Sequence, residues 1–241
     1  AMFSEFEKRN LIKTNNLKDV RTNIVEQFIK EGIVCENTEA ENYLTKENVS
    51  IIIRNFIKKS KKTNIRLIIF GLIVYYGFTK AEVVDFLSQS WECIDFKNRK
   101  IEYKGVKRNL PKLLEDNLLV LKKVTGRRKS ILGDRGERGK SISIDVVADA
   151  FDEIKKIPGL QGREQFIPEY TRKMLIKNLF EAGFALEEIS GYVGISIGSI
   201  EKILGKEQIA KIGLKRWNMK NRSKIRHPFE ESFNENYCKN I

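Results

Sequence analysis

The side chains suited to phosphate chemistry are the basic clusters, at Lys104, Lys107 and Arg108, at Arg127, Arg128 and Lys129, at Arg172 and Lys173, and between Lys215 and Arg226. A guanidinium pairs bidentately with phosphate, and cations on the non-bridging oxygens stabilise the charge that gathers there when a phosphodiester is attacked. Lys104 and Lys107 stand in the run Ile101-Glu102-Tyr103-Lys104-Gly105-Val106-Lys107-Arg108. A hydroxyl nucleophile would complete such a centre. Tyr237 follows His227 by ten residues, with Pro228 breaking any helix between them. Tyr170 and Tyr192 read as packing residues. His227 is the only histidine, and Cys35, Cys93 and Cys238 are far apart. That spacing suits neither a zinc site nor a disulfide framework, so no metal or cofactor is expected and a reducing compartment fits.

The elements that must position these groups follow from hydrophobic period. Residues 4–33 carry apolar side chains at helical spacing and end at Gly32, ahead of an acidic linker, which makes residues 1–43 a helical appendage. Thr45 caps a helix that places Val49, Ile52, Ile53 and Phe56 on one face. The next helix, Ile65 to Tyr76, is apolar nearly all round and belongs at the centre of a core, with Gly77 as its stop. After a short helix from Lys80 to Leu87 the period falls to two. Trp91 to Phe96 and Lys100 to Tyr103 read as strands around a turn at Lys97-Asn98-Arg99, with a third strand near Arg108 to Pro111. Helices are expected at Leu113 to Val124, Asp145 to Ile157, Glu169 to Ala182, Leu186 to Val193, Ser196 to Leu204 and 206–217, with a Gly- and Arg-rich loop over 126–141. The expected fold is mainly α with a small antiparallel sheet, an α+β domain over residues 44–205 followed by a basic helix and tail over 206–241.

Charge narrows the partners. The 241 residues carry 45 Lys and Arg against 32 Asp and Glu, a net charge of +13. Residues 1–44 hold six basic and eight acidic side chains, so the remainder carries +15. Such an excess attracts polyanions. The longest apolar stretch, Leu67 to Phe78, is too short to span a bilayer at about twenty residues, so no membrane partner is expected. Glu5 and Glu7, with no apolar run, do not read as a signal peptide. An intracellular, cytoplasmic protein is the expectation.

The order and punctuation of these segments resemble the catalytic domain of the tyrosine recombinase (phage integrase) family. Gly77-Phe78-Thr79-Lys80-Ala81-Glu82 stands where that family has Gly-apolar-Arg-x-x-Glu. Trp91 and Ile94-Asp95 precede the hairpin, and Lys104 or Lys107 falls at the active-site lysine. Pro168-Glu169-Tyr170-Thr171-Arg172 matches the His-x-x-Arg segment, followed by Gly183, Val193-Gly194-Ile195 and Leu204. The resemblance implies a retained scaffold with replaced chemistry. Thr79 takes the place of the first Arg, Glu169 of the His, Ile195 of the second His or Trp, and Leu204 of the nucleophilic Tyr. Only Arg172 and one lysine survive as catalytic remnants. The implied function is duplex DNA binding without strand transfer, as an architectural, regulatory or segregation factor of a virus, plasmid or mobile element, with homo-oligomers on DNA compatible with the family. Active recombination through Tyr237, and an adaptor that binds RNA or an acidic partner, are the alternatives.

Residues 185–204 also read as a helix-turn-helix. Ile189 and Val193 bury the first helix, Gly194 turns the chain, Ser196 caps the second helix, and Ile200 and Leu204 pack it back. Ser196 and Ser199 open the second helix but are poor base readers. The DNA-contact candidates are therefore mostly phosphate binders: Lys104, Lys107 and Arg108; Arg127, Arg128 and Lys129; Arg172 and Lys173; and Lys215, Arg216, Lys220, Arg222, Lys224 and Arg226.

Overall fold

The computed structural model describes residues 42–59, 64–126, 129–132, 142–205, 209 and 225–234. They form a mainly helical α+β body with one three-stranded antiparallel sheet. The expected helices in 4–33 and 206–217, Tyr237, and the loop arginines fall wholly or largely outside the described residues.

Helix α1 (Lys46–Lys59) buries Val49, Ile52, Ile53 and Phe56. The Thr45 hydroxyl accepts from the Asn48 backbone N–H at 3.2 Å, as a capping residue should. Helix α2 (Ile65–Tyr76) is enclosed from Leu67 onward and packs against α1 and four later helices. Asn64 fixes its start, accepting from the Leu67 N–H at 3.0 Å while donating to the Phe56 carbonyl at 2.7 Å. Gly77 ends it in the left-handed region at φ 71°. A side chain there would be strained and would stand 3.0 Å from Val193 Cγ1, so glycine permits close approach. Gly71 does the same within α2, because a Cβ would meet Leu114 Cδ2 at 2.5 Å.

Helix α3 (Lys80–Ser88) begins with a capping box in which Thr79 and Glu82 satisfy each other's backbone N–H groups. Residues Trp91–Cys93 form a 3-10 turn instead of the start of a strand, leaving β1 as Ile94–Asp95. Strands β2 (Lys100–Tyr103) and β3 (Val106–Asn109) pair in the register Ile101↔Arg108 and Tyr103↔Val106. The third strand thus starts two residues before its expected position. Lys104 and Gly105 form the connecting turn with φ 51° and 74°, the positive values demanded by a tight hairpin.

Helices α4 (Lys112–Thr125), α5 (Ile144–Lys155) and α6 (Pro168–Glu181) complete the core around α2. Helices α7 (Leu186–Val193) and α8 (Ile197–Leu204) pack on each other and on α6. Ile189, Val193, Ile200 and Leu204 are buried, and Ser196 caps α8 by accepting from the Ser199 N–H at 3.3 Å.

Part of the segment assigned from sequence to a basic tail belongs to the core. Residues 225–234 return over the body and end in α9 (Glu230–Asn234), which packs against α1 and α4. Phe229 and Phe233 are buried, and the Phe233 ring lies 5.2 Å from that of Tyr75. Pro111 offers α4 no side-chain cap, and Asn234 Oδ1 accepts from the Lys112 N–H at 2.9 Å in its place. No described helix is long and apolar enough to cross a membrane; α2 and α3 meet the length test only as a pair bent by 118°.

Candidate functional site

Thr79 at the start of α3, Glu169 and Arg172 in the first turns of α6, and Ile195 between α7 and α8 line a single cleft of about 260 Å³. Lys80, Pro168, Lys173, Ile176, Ser199 and Ile203 complete its walls. Four of the positions singled out by motif spacing thus share one cleft across three separate parts of the chain, whereas Lys104, Lys107 and Leu204 are not in its lining. Leu204, at the nucleophile's position, is buried at the end of α8 and offers only packing.

Arg172 is mostly enclosed. Its Nη2 donates to the Val193 carbonyl at 2.9 Å and lies 3.8 Å from Glu82 Oε2. Its Nε is buried without a hydrogen-bond partner. Burial lowers its pKa and the Glu82 charge opposes the shift; the group keeps its positive charge.

Glu82 ties the cleft to the hairpin. Its Oε1 accepts from Lys104 Nζ at 2.9 Å, and its Oε2 accepts from the backbone N–H and the hydroxyl of Thr79 at 3.0 Å each. Burial raises the Glu82 pKa, but hydrogen bonds from Thr79 and Lys104 and the Arg172 charge outweigh it, holding the carboxyl below its ordinary range. A carboxylate therefore already sits between the two remnant cations. Glu169 is likewise ionised, because Lys80 at 3.0 Å outweighs the effect of burial.

The other nominated residues divide. Lys107 is exposed, with Glu102 at 3.7 Å, and Lys129 is exposed beside the Ser90–Ser130 bridge. Lys173 is exposed, its ammonium 5.4 Å from the centre of the Tyr170 ring. Arg226 is exposed on the rim of a separate cavity of about 440 Å³ that also includes His227. Arg127, Arg128, Lys215, Arg216, Lys220, Arg222 and Lys224 lie outside the described residues, as does Tyr237.

Two expectations need correcting. Arg108 presents no free guanidinium to a phosphate: it is 5% exposed, and Nε and Nη2 donate to the Tyr192 carbonyl at 2.9 and 2.7 Å. Its Nη1 reaches the Tyr103 and Val106 carbonyls at 3.4 and 3.3 Å, so it locks β3 to α7. Tyr170 is not a packing residue, being 51% exposed, whereas Tyr192 packs partly buried against the core and its hydroxyl donates to the Tyr75 carbonyl at 2.9 Å. Burial holds the Tyr192 hydroxyl well above its ordinary pKa, so it is no ready nucleophile.

Sequence motifs alone missed the bridging role of Glu82 and the Lys80–Glu169 pair; the signal for the first was its place in the capping-box pattern Thr79-x-x-Glu82. Among the described residues, no group of three His, Cys, Asp or Glu side chains is placed to share a metal ion. No family model matches this chain, and no curated protein matches it.

Proposed function

We propose that the protein binds duplex DNA through phosphate contacts on the surface carrying the cleft and the β2–β3 hairpin, and that it does so without cutting the strand. The observation that carries this is the convergence of Thr79, Glu169, Arg172 and Ile195 on one cleft, with Lys104 linked to Arg172 through Glu82. The same residue positions make the tyrosine recombinase resemblance, and their identities argue against cleavage. Glu169, paired with Lys80, stands in place of a histidine donor, Leu204 has no nucleophile, and Glu82 offsets the remaining cations. Lys129 and Lys173 are exposed and available for phosphate, and Lys104 and Lys107 are exposed in surface pairs with Glu82 and Glu102 that a phosphate can compete with. Within this proposal the protein serves as an architectural, regulatory or segregation factor, and α7–α8 contributes packing and backbone contact in preference to base readout.

The test is fluorescence anisotropy with a labelled random duplex across a salt series, with RNA and heparin as competitors. Duplex-preferring binding that weakens steeply with salt, and weakens further in Lys104→Gln/Lys107→Gln, is expected. Binding indifferent to polymer type would favour an adaptor. On nicked suicide duplexes no covalent adduct is expected; adducts lost in Tyr237→Phe would overturn the non-cutting part.

A further inference from the structure

We propose that the cleft between α3, α6 and α8 is a binding site for a small amphiphilic anion, a compact apolar body carrying a phosphate or carboxylate head. This does not depend on the duplex proposal, since it concerns the interior of the cleft and a free small molecule.

The walls divide by chemistry. Pro168, Ile176, Ile195 and Ile203 supply apolar surface, while Arg172 and Lys173 supply positive charge to the same space. Ligand pockets are commonly apolar with a few placed polar groups that fix orientation. At about 260 Å³, the cleft has the volume of roughly nine liquid waters, which suits one small ring or short chain with its head group.

Charge selects the sign of the head. Lys80 is answered by Glu169 at 3.0 Å, and Arg172 is only partly answered by Glu82 at 3.8 Å. Among the described residues no carboxylate pairs with Lys173. The cleft therefore keeps excess positive charge beside Arg172 Nε, which is enclosed without a partner. A bare inorganic anion would leave the isoleucine walls uncovered, and an uncharged apolar molecule would leave the cations unanswered. Joining the two in one molecule satisfies both, and apolar walls that exclude water strengthen the ionic contact.

The experiment is isothermal titration of the full chain with phenyl phosphate, and with inorganic phosphate and phenol as the head and body alone. Phenyl phosphate is expected to bind at least about tenfold more tightly than either half. Ser199→Trp, built at an exposed position on α8, should fill the cleft and abolish binding, and Lys173→Gln should weaken it severalfold; thermal melts check that both variants are folded. In the unsubstituted protein, amide shifts induced by phenyl phosphate should centre on Lys173, Ile195 and Ser199. Equal affinity for inorganic phosphate or phenol, shifts centred elsewhere, or undiminished binding in folded Ser199→Trp would each overturn the proposal. Loss of duplex binding with phenyl phosphate binding intact would remove only the DNA-binding proposal.

Discussion

Arg108→Gln leaves the carbonyls of Tyr192, Tyr103 and Val106 short of buried donors, and loss of such charge-assisted bonds should cost about 3 kcal/mol. Lys107→Gln, one residue away and exposed, should change stability by less than about 0.5 kcal/mol; urea denaturation separates the two. Glu82→Gln removes the charge shared by Lys104 and Arg172 while an amide oxygen can still accept from Thr79. It is expected to raise duplex affinity severalfold at low salt, and unchanged or weaker binding would place the DNA surface elsewhere. His227 lies against the Tyr75 ring at 4.0 Å, and burial drives its pKa down to about 3 despite an opposing pull from the Tyr75 backbone. Its folded pKa is below the unfolded value of about 6.5, so the unfolded state takes up the proton first. The stability due to neutral His227 is complete above about pH 6.5 and is lost as pH falls toward 3. Between about pH 6.5 and 4.5, above the range in which Glu82 titrates, denaturation midpoints should fall with pH in the native protein and stay flatter in His227→Gln.

The returning segment makes a sharper prediction among the elements. Phe233→Ala should cost about 4 kcal/mol by opening a void beside Phe70 and Tyr75. Asn234→Ala should cost about 1 kcal/mol through loss of the α4 cap. Calorimetric melts of both would show whether α9 is integral to the body. Helices were legible where period and cap agreed: Ile65 to Tyr76 and Leu186 to Val193 follow from apolar spacing closed by Gly77 and Gly194. Period could not distinguish Trp91–Cys93 as a turn, because a single 3-10 turn and a short strand carry too few residues to differ. The role of Arg108 was hidden by its charge, although Val106, Arg108 and Leu110 share one strand parity and Leu110 is buried. Charged residues flank Phe229 and Phe233, and the partners of Phe233 in α2, Phe70 and Tyr75, are too distant in sequence for local patterning to reveal. Motif order brought the cleft residues into view, but the shared carboxylate of Glu82 could emerge only once the hairpin and α6 were placed together.

At the scale of the whole molecule, the excess of +13 sets how strongly salt should govern binding. Five phosphate contacts would give a logarithmic salt slope of about −4.5, a loss of several hundredfold between about 50 and 200 mM salt. A slope near zero in the anisotropy series would exclude a phosphate-led interface. The returning segment also bears on the order of assembly. Lys46 meets Glu231 at 3.1 Å across 185 residues of chain, while Asn234 reaches α4 across 122. Exposed ion pairs supply little driving force, and closing so long a loop carries an entropic cost. Helices α1 and α2 can form their local contacts early, but Phe233 can seat only after the intervening chain has compacted. The closing event in refolding should therefore be the docking of residues 225–234, with the first and last described helices joining after the middle of the molecule has taken shape.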